Sequence, residues 1–199
     1  MRAVLVAFWL MVLFSGIAYL LWYNEWKYTL PTPVPQNYAV VKTGTAIDLS
    51  DCVKYENNKP VFIHFFNPDC ACSRFNIPHF NSLVKKYGEQ ITFSVVVINQ
   101  KKEFTAEEIQ QRFDLEVPVV FDTAMAALCG VYSTPQAVIL DRAHMLYYRG
   151  NYNKTRYCTE KSSMYAQMAI DSLLNNNQNP VFSALALQAY GCSLPMCTK

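Results

Sequence analysis

The chain has 199 residues, 52% of them hydrophobic, and its 17 basic and 15 acidic side chains leave a formal net charge of +2. That length suits one compact domain with an appendage and leaves room for a real core. So even a balance offers no basic stripe for phosphates, and neither GxGxxG nor GxxxxGK(S/T) occurs, so no nucleic-acid partner, no nucleotide and no cofactor is expected.

From Ala3 to Tyr23 the sequence AVLVAFWLMVLFSGIAYLLWY carries no charge, and at a helical rise of about 1.5 Å per residue it spans the roughly 30 Å of a bilayer's hydrocarbon. Arg2 precedes it, and Trp22, Tyr23 and Trp26 close it like an aromatic belt. The residues around 20–30 are too bulky for a signal-peptidase site. Residues 1–24 are therefore expected to form an uncleaved transmembrane anchor, with the N-terminus cytoplasmic and the rest of the chain on the periplasmic or other extracytoplasmic side. Residues 25–37, with Pro31, Pro33 and Pro35, are expected to be a semi-rigid spacer.

The folded domain is expected over residues 38–178. A short strand and turn are read in YAVVKTGTAIDLSDC (38–52), and PVFIHFF (60–66) has the continuous apolar pattern of a strand covered on both faces. NPDC opens a helix that runs to Gly88, with Phe75, Phe80, Leu83, Val84 and Tyr87 on its inner side. ITFSVVVIN (91–99) is a second buried strand. TAEEIQQRF (105–113) begins with a capping box and predicts a helix. A short strand (117–122), a short helix ending near Gly130, and two strands (134–141 and 145–152) joined as a hairpin follow. SSMYAQMAIDSLLNN (162–176) is an amphipathic helix, and residues 179–199 form a cysteine-containing tail. Alternating strands and helices closed by a hairpin imply an α/β fold: a mixed sheet with helices on both faces.

The chemistry concentrates in FFNPDCACSRFNIPHF (65–80). A cysteine where a buried strand turns into a helix lies among unpaired N–H groups at the positive end of the helix dipole, which favours thiolate over thiol. Cys70 holds that position. In an oxidising compartment Cys52, Cys70, Cys72, Cys129, Cys158, Cys192 and Cys197 can form disulfides, and their odd number leaves at least one without an intramolecular partner. Cys129 reads as core, and Cys192 and Cys197 as staples for the tail, through Cys158 or with a redox role. Cys70, Cys72 and His79 could alternatively hold Cu(I) or Zn(II), although His79 lies about two helical turns from the thiols.

HFFNPDCACSRFNIP resembles the active-site segment of the thioredoxin superfamily, in which a strand leads to a nucleophilic cysteine and then to a helix carrying a proline, here Pro78. Thr134-Pro135, before the penultimate strand, matches the family's cis-proline. The resemblance covers about residues 38–176. It implies a thioredoxin-like fold and a thiol–disulfide oxidoreductase, with Cys70 as nucleophile, His64 handling a proton at a position where the family carries a buried acid, and Pro135 orienting an extended substrate. The family's resolving cysteine falls where Ser73 stands, so resolution is left to Cys72, in a small and easily reduced ring with Cys70, or to a remote cysteine such as Cys158 or Cys192. By the same resemblance the relatives would be membrane-tethered envelope reductants, with protein thiol or disulfide clients and a membrane electron donor as partners. The alternative is a copper-binding or non-catalytic module on the same fold.

Overall fold

The computed structural model describes residues 2–49, 58–98, 104–177 and 180–194. Cys52 and Cys197 lie outside them. The chain divides into two compact units, Met1–Pro31 and Thr32–Lys199. The first is one helix, α1 (Arg2–Thr29), whose apolar side chains are exposed, among them Val4, Phe8, Trp9 and Phe14. It is long and apolar enough to cross a membrane, with a mean hydropathy of 2.4 over Arg2–Trp26.

The second unit is built on β1 (Val61–Phe66), every residue of which is buried. Helix α2 (Ala71–Tyr87) follows, then β2 (Thr92–Val97), α3 (Ala106–Phe113), β3 (Val119–Val120), α4 (Thr123–Leu128), β4 (Ser133–Thr134), β5 (Gln136–Leu140) and β6 (Leu146–Gly150). A 3₁₀ turn at Lys161–Ser163 leads to α5 (Tyr165–Leu174), a short α6 (Ala184–Leu187) and β7 (Cys192–Ser193). The main sheet has the order β3-β2-β1-β5-β6, with β1 parallel to β2 and antiparallel to β5. This is the mixed sheet that the order of strands and helices predicts, in the thioredoxin-like form that the resemblance implies.

Alternation along β1 divides the core in two. Phe62 and Phe66 pack with Ile77, Phe80 and Leu83 of α2, Ile109 of α3 and Ala169 and Ile170 of α5. On the opposite face Val61, Ile63 and Phe65 pack with Ile47, Leu49, Met125 and Cys129. The predicted capping box forms in full: Thr105 Oγ1 accepts from the Glu108 N–H, and the Glu108 carboxylate accepts from the Thr105 N–H. The hairpin turn is held by Asp141, whose Oδ1 accepts from the backbone of Ala143 and Met145.

Three expectations change. The strand read at 38–52 reduces, among the described residues, to an isolated bridge between Ala46 and Met145. Phe75 is 44% exposed rather than inward, and its ring meets that of Tyr157 at 4.9 Å between centroids; Asn76 takes the buried position. The strand read at 134–141 is split: β5 begins at Gln136, and β4 lies outside the main sheet, paired with β7.

Residues 180–194 are woven into the second unit. Asn151, at the end of β6, binds them on three sides: its N–H donates to Ala186 O, its Nδ2 donates to Leu185 O, and its Oδ1 accepts from the Tyr190 N–H. Gly150 permits this approach, since a Cβ there would lie 2.2 Å from Ala186 O. Gly150→Ala must push α6 off β6 and is expected to cost about 1–3 kcal/mol, read as a lower urea midpoint.

Candidate active site

The loop from β1 to α2 is shaped by its own polar groups. Asn67 Oδ1 accepts from the Asp69 N–H at 2.9 Å, the Cys70 N–H donates to Asn67 O at 3.1 Å, and the Asn67 N–H donates to Ser73 Oγ at 3.3 Å. This turn places Cys70 at the N-cap of α2 in extended conformation. Cys70 is 4% exposed and forms a disulfide with Cys192, 122 residues away, with Cα atoms 6.3 Å apart.

The cis Thr134–Pro135 bond stands beside this disulfide, with Thr134 O 3.8 Å from Cys70 Sγ. That approach is a contact rather than a hydrogen bond, because a disulfide sulfur carries no proton. β7 lies antiparallel on β4, with Thr134 opposite Cys192 and Ser133 opposite Ser193. Thr32 and Ser133 support the arrangement: their hydroxyls lie 2.9 Å apart, Thr32 Oγ1 donates to Gly191 O, and Ser133 Oγ donates to Cys192 O.

The Cys70–Cys72 ring does not form in this structure. Cys72 is a buried free thiol, as are Cys129 and Cys158. The reason is helical geometry: with Cys70 at the N-cap and Ala71 as first helical residue, Cys72 is two positions on, and residues so spaced do not face each other on a helix. Three positions on would face Cys70, and there Ser73 is buried and ties down the loop. Cys72 shares its side of α2 with Asn76, whose Nδ2 donates to Cys158 Sγ at 3.1 Å. Burial raises the Cys72 pKa against the pull of the Arg156 charge. Burial pushes Cys129 and Cys158 up to about 12. These three thiols are therefore weak nucleophiles at neutral pH.

His64 is fully buried in the middle of β1, stacked on Phe80 with centroids 4.6 Å apart, and its Nδ1 lies 2.6 Å from the Tyr152 hydroxyl. Its Nε2 has no hydrogen-bond partner among the described residues. Burial lowers its pKa from 6.5 to about 3, so the ring stays neutral at physiological pH instead of titrating there as the sequence suggests. Tyr152 carries no motif and was not visible as a partner in the sequence. His79 is also buried on α2, and among the described residues no group of three or more His, Cys, Asp or Glu side chains is placed to hold a metal ion. Cys70, Cys72 and His79 are thus not gathered into one site.

A family model described as "Domain of unknown function (DUF6436)" matches residues 41–197, a span that includes Cys70, the cis-proline and Cys192. The chain belongs to this family. The DUF6436 region thus covers the whole disulfide and both strands of the small β4–β7 sheet. No curated protein matches the chain. An uncharacterized conserved protein from Geobacillus kaustophilus is similar in structure, with TM-score 0.62 and 16% identity over 84% of this chain and 100% of that one. A hypothetical protein, SMc02350 from Sinorhizobium meliloti, gives TM-score 0.59 and 17% identity over 69% of this chain and 80% of its own. A putative thiol:disulfide interchange protein, DsbE from Chlorobium tepidum, gives TM-score 0.42 and 22% identity over 47% of this chain and 67% of that one. The first two likenesses establish the fold and nothing of activity; the third is too slight to establish either.

The His64 environment makes stability depend on pH. The unfolded ring takes up a proton near 6.5 and the folded ring only near 3, so the stabilisation is whole above 6.5 and is lost as pH falls through that window. The loss is roughly 1.4 kcal/mol per pH unit for one such group. His64→Gln is expected to flatten the fall in unfolding free energy between pH 6 and 4, measured by urea titration at each pH.

Proposed function

We propose that this chain is a thiol–disulfide oxidoreductase whose reacting couple is Cys70 with Cys192, held on a membrane by α1 and acting on protein disulfides on the extracytoplasmic side. The observation that carries the reading is the disulfide itself: it joins the N-cap of α2 to a short strand and lies against the cis Thr134–Pro135 peptide. A disulfide also persists most readily in an oxidising compartment, which fits an anchor with its basic residue at the inner end.

In the reduced chain the unpaired N–H groups of the first turn of α2 favour the Cys70 thiolate, while burial shifts Cys72, Cys129 and Cys158 toward the protonated form. The Cys70 thiolate attacks one sulfur of a client disulfide, forms a mixed disulfide and expels the second client sulfur as thiolate. The Cys192 thiolate then attacks Cys70 Sγ, restores Cys70–Cys192 and releases the client dithiol. The client gains two electrons and two protons, and a dithiol donor, membrane-borne in this reading, returns them to the chain. Cys192 thus takes the resolving role that the sequence offered to Cys72 or to a remote cysteine. His64 supports the fold of the site as a neutral ring, and Pro135 fixes the path of β4 beside the sulfur.

The test is insulin reduction by the full chain in detergent micelles, with dithiothreitol as electron source. Cys70→Ser is expected to lose on the order of a hundredfold or more in rate. Cys192→Ser should accumulate a mixed disulfide between Cys70 and insulin, visible on a non-reducing gel, whereas Cys72→Ser should turn over normally. Trapping by Cys72→Ser and not by Cys192→Ser would reverse the assignment.

A further inference from the structure

We propose that Gly191–Leu194 is an internal stand-in for the client: it fills the edge of β4 on which a client's cysteine-bearing segment docks, and that edge accepts a segment with glycine immediately before its cysteine. This rests on the reading that Cys70 attacks client disulfides.

The stand-in is a complete strand pairing in miniature. Cys192 faces Thr134, Ser193 faces Ser133, and the Leu194 N–H donates to Tyr132 O at 3.1 Å. Thr32 and Ser133 hydroxyls take the carbonyls of Gly191 and Cys192. An extended segment read this way is held by its backbone, so any chain able to follow the same path can replace it. The path is demanding at one point. Gly191 has φ +152, and a Cβ built there would lie 2.2 Å from Thr134 O and 2.9 Å from Thr134 C, both backbone atoms fixed beside Pro135. A residue other than glycine must move the strand away from Thr134, and with it the following cysteine from Cys70.

Residues 191–194 are held more lightly than the α6 segment before them, by the short β4–β7 pairing and two hydroxyls besides the sulfur bond. β7 is two residues long, Ser193 is exposed, and Gly191, Cys192 and Leu194 are only partly buried. Short, partly exposed pairings open at low free-energy cost. Once Cys70–Cys192 is reduced, the segment leaves and uncovers the edge. A client disulfide docks there with its attacked sulfur in the place of Cys192 Sγ, and the Cys70–client bond forms as the second client thiolate departs. When the Cys192 thiolate attacks Cys70 Sγ and breaks that bond, β7 reforms on β4 and displaces the client from the edge it occupied. Resolution and expulsion are then one event, with the electron count unchanged from the cycle above.

Two measurements on the full chain in detergent micelles test this. Hydrogen exchange of the amides of residues 191–194 is expected to be about tenfold or more faster after reduction with dithiothreitol than in the oxidised chain. Equal protection in both states would show that the tail does not vacate the edge and would overturn the proposal. In the second, reduced Cys192→Ser chain reacts with the peptide QAYGCSL or QAYACSL, each carrying thionitrobenzoate on its cysteine, and modification of Cys70 is followed by mass spectrometry. The glycine peptide is expected to react faster by on the order of tenfold; equal rates would overturn the docking edge and its glycine requirement. The unattached disulfide 5,5′-dithiobis(2-nitrobenzoate), which needs no strand pairing, separates the two levels. Its rapid reaction at Cys70 with equal peptide rates removes this inference alone, whereas its failure to react removes the nucleophile on which both readings stand.

Discussion

The site depends on one long closure: Cys192 returns across 122 residues of chain to Cys70 at the N-cap of α2. Fixing the ends of a loop of that size removes conformational freedom from the unfolded chain, worth about 5 kcal/mol in the chain-entropy account. The fold prepares the closure before the sulfurs meet. Asn151 holds both α6 and Tyr190, Gly150 lets α6 lie against β6, and Thr32 ties its own backbone and hydroxyl to Ala189, Gly191 and Ser133. The tail up to Tyr190 is thus brought near β4, and the disulfide holds the four residues that follow on that strand.

The same closure explains how one sulfur among several can be reactive. Cys72, Cys129 and Cys158 are surrounded by core, where ionisation is costly, and all three are shifted toward the protonated form. Cys70 alone of the described free-or-bonded cysteines before β7 stands at a helix N-cap with no side chain satisfying the cap. Exposure does not divide Cys70 from Cys72, both 4% exposed; the position of Cys70 at the helix N-cap does. His64 follows the rule of the three core thiols: in the centre of a strand buried on both faces, an imidazole against Phe80 and Tyr152 is kept neutral, and its contribution is packing and one hydrogen bond.

Much of the fold was legible because its signals are local. The apolar run of β1, the Thr105–Glu108 capping box and the turn at Asp141 each carry their own physical cause within a few residues. The placement of Cys70 was equally local, since a strand, an Asn-Pro-Asp turn and a helix start specify it. Phe75 was misread because helical periodicity gives a face but not its partner; the 156–157 loop offers Phe75 an aromatic and a guanidinium contact outside the core. The fate of the tail was illegible for a different reason. It depends on Asn151, Thr32 and Ser133, polar residues with no motif, meeting backbone groups far away in sequence.

The adjacent CxC pair drew attention as a unit, and helix geometry takes that unit apart. A thiol at the N-cap and one two residues later project to different sides of α2, one toward the cis-proline strand and the other toward Asn76 and the loop bearing Arg156 and Cys158. Residues three and four positions on could return to Cys70 from the same helix, and these are Ser73, whose hydroxyl holds the loop, and Arg74. With no cysteine three or four positions on in α2, the partner of Cys70 comes from another element, the strand paired to β4. A resolving cysteine placed there shares its seat with whatever else pairs with that strand. In the proposed cycle, moving the second cysteine from the helix to the tail links the chemistry of release to occupation of the docking edge, a linkage that a helix-borne pair does not possess.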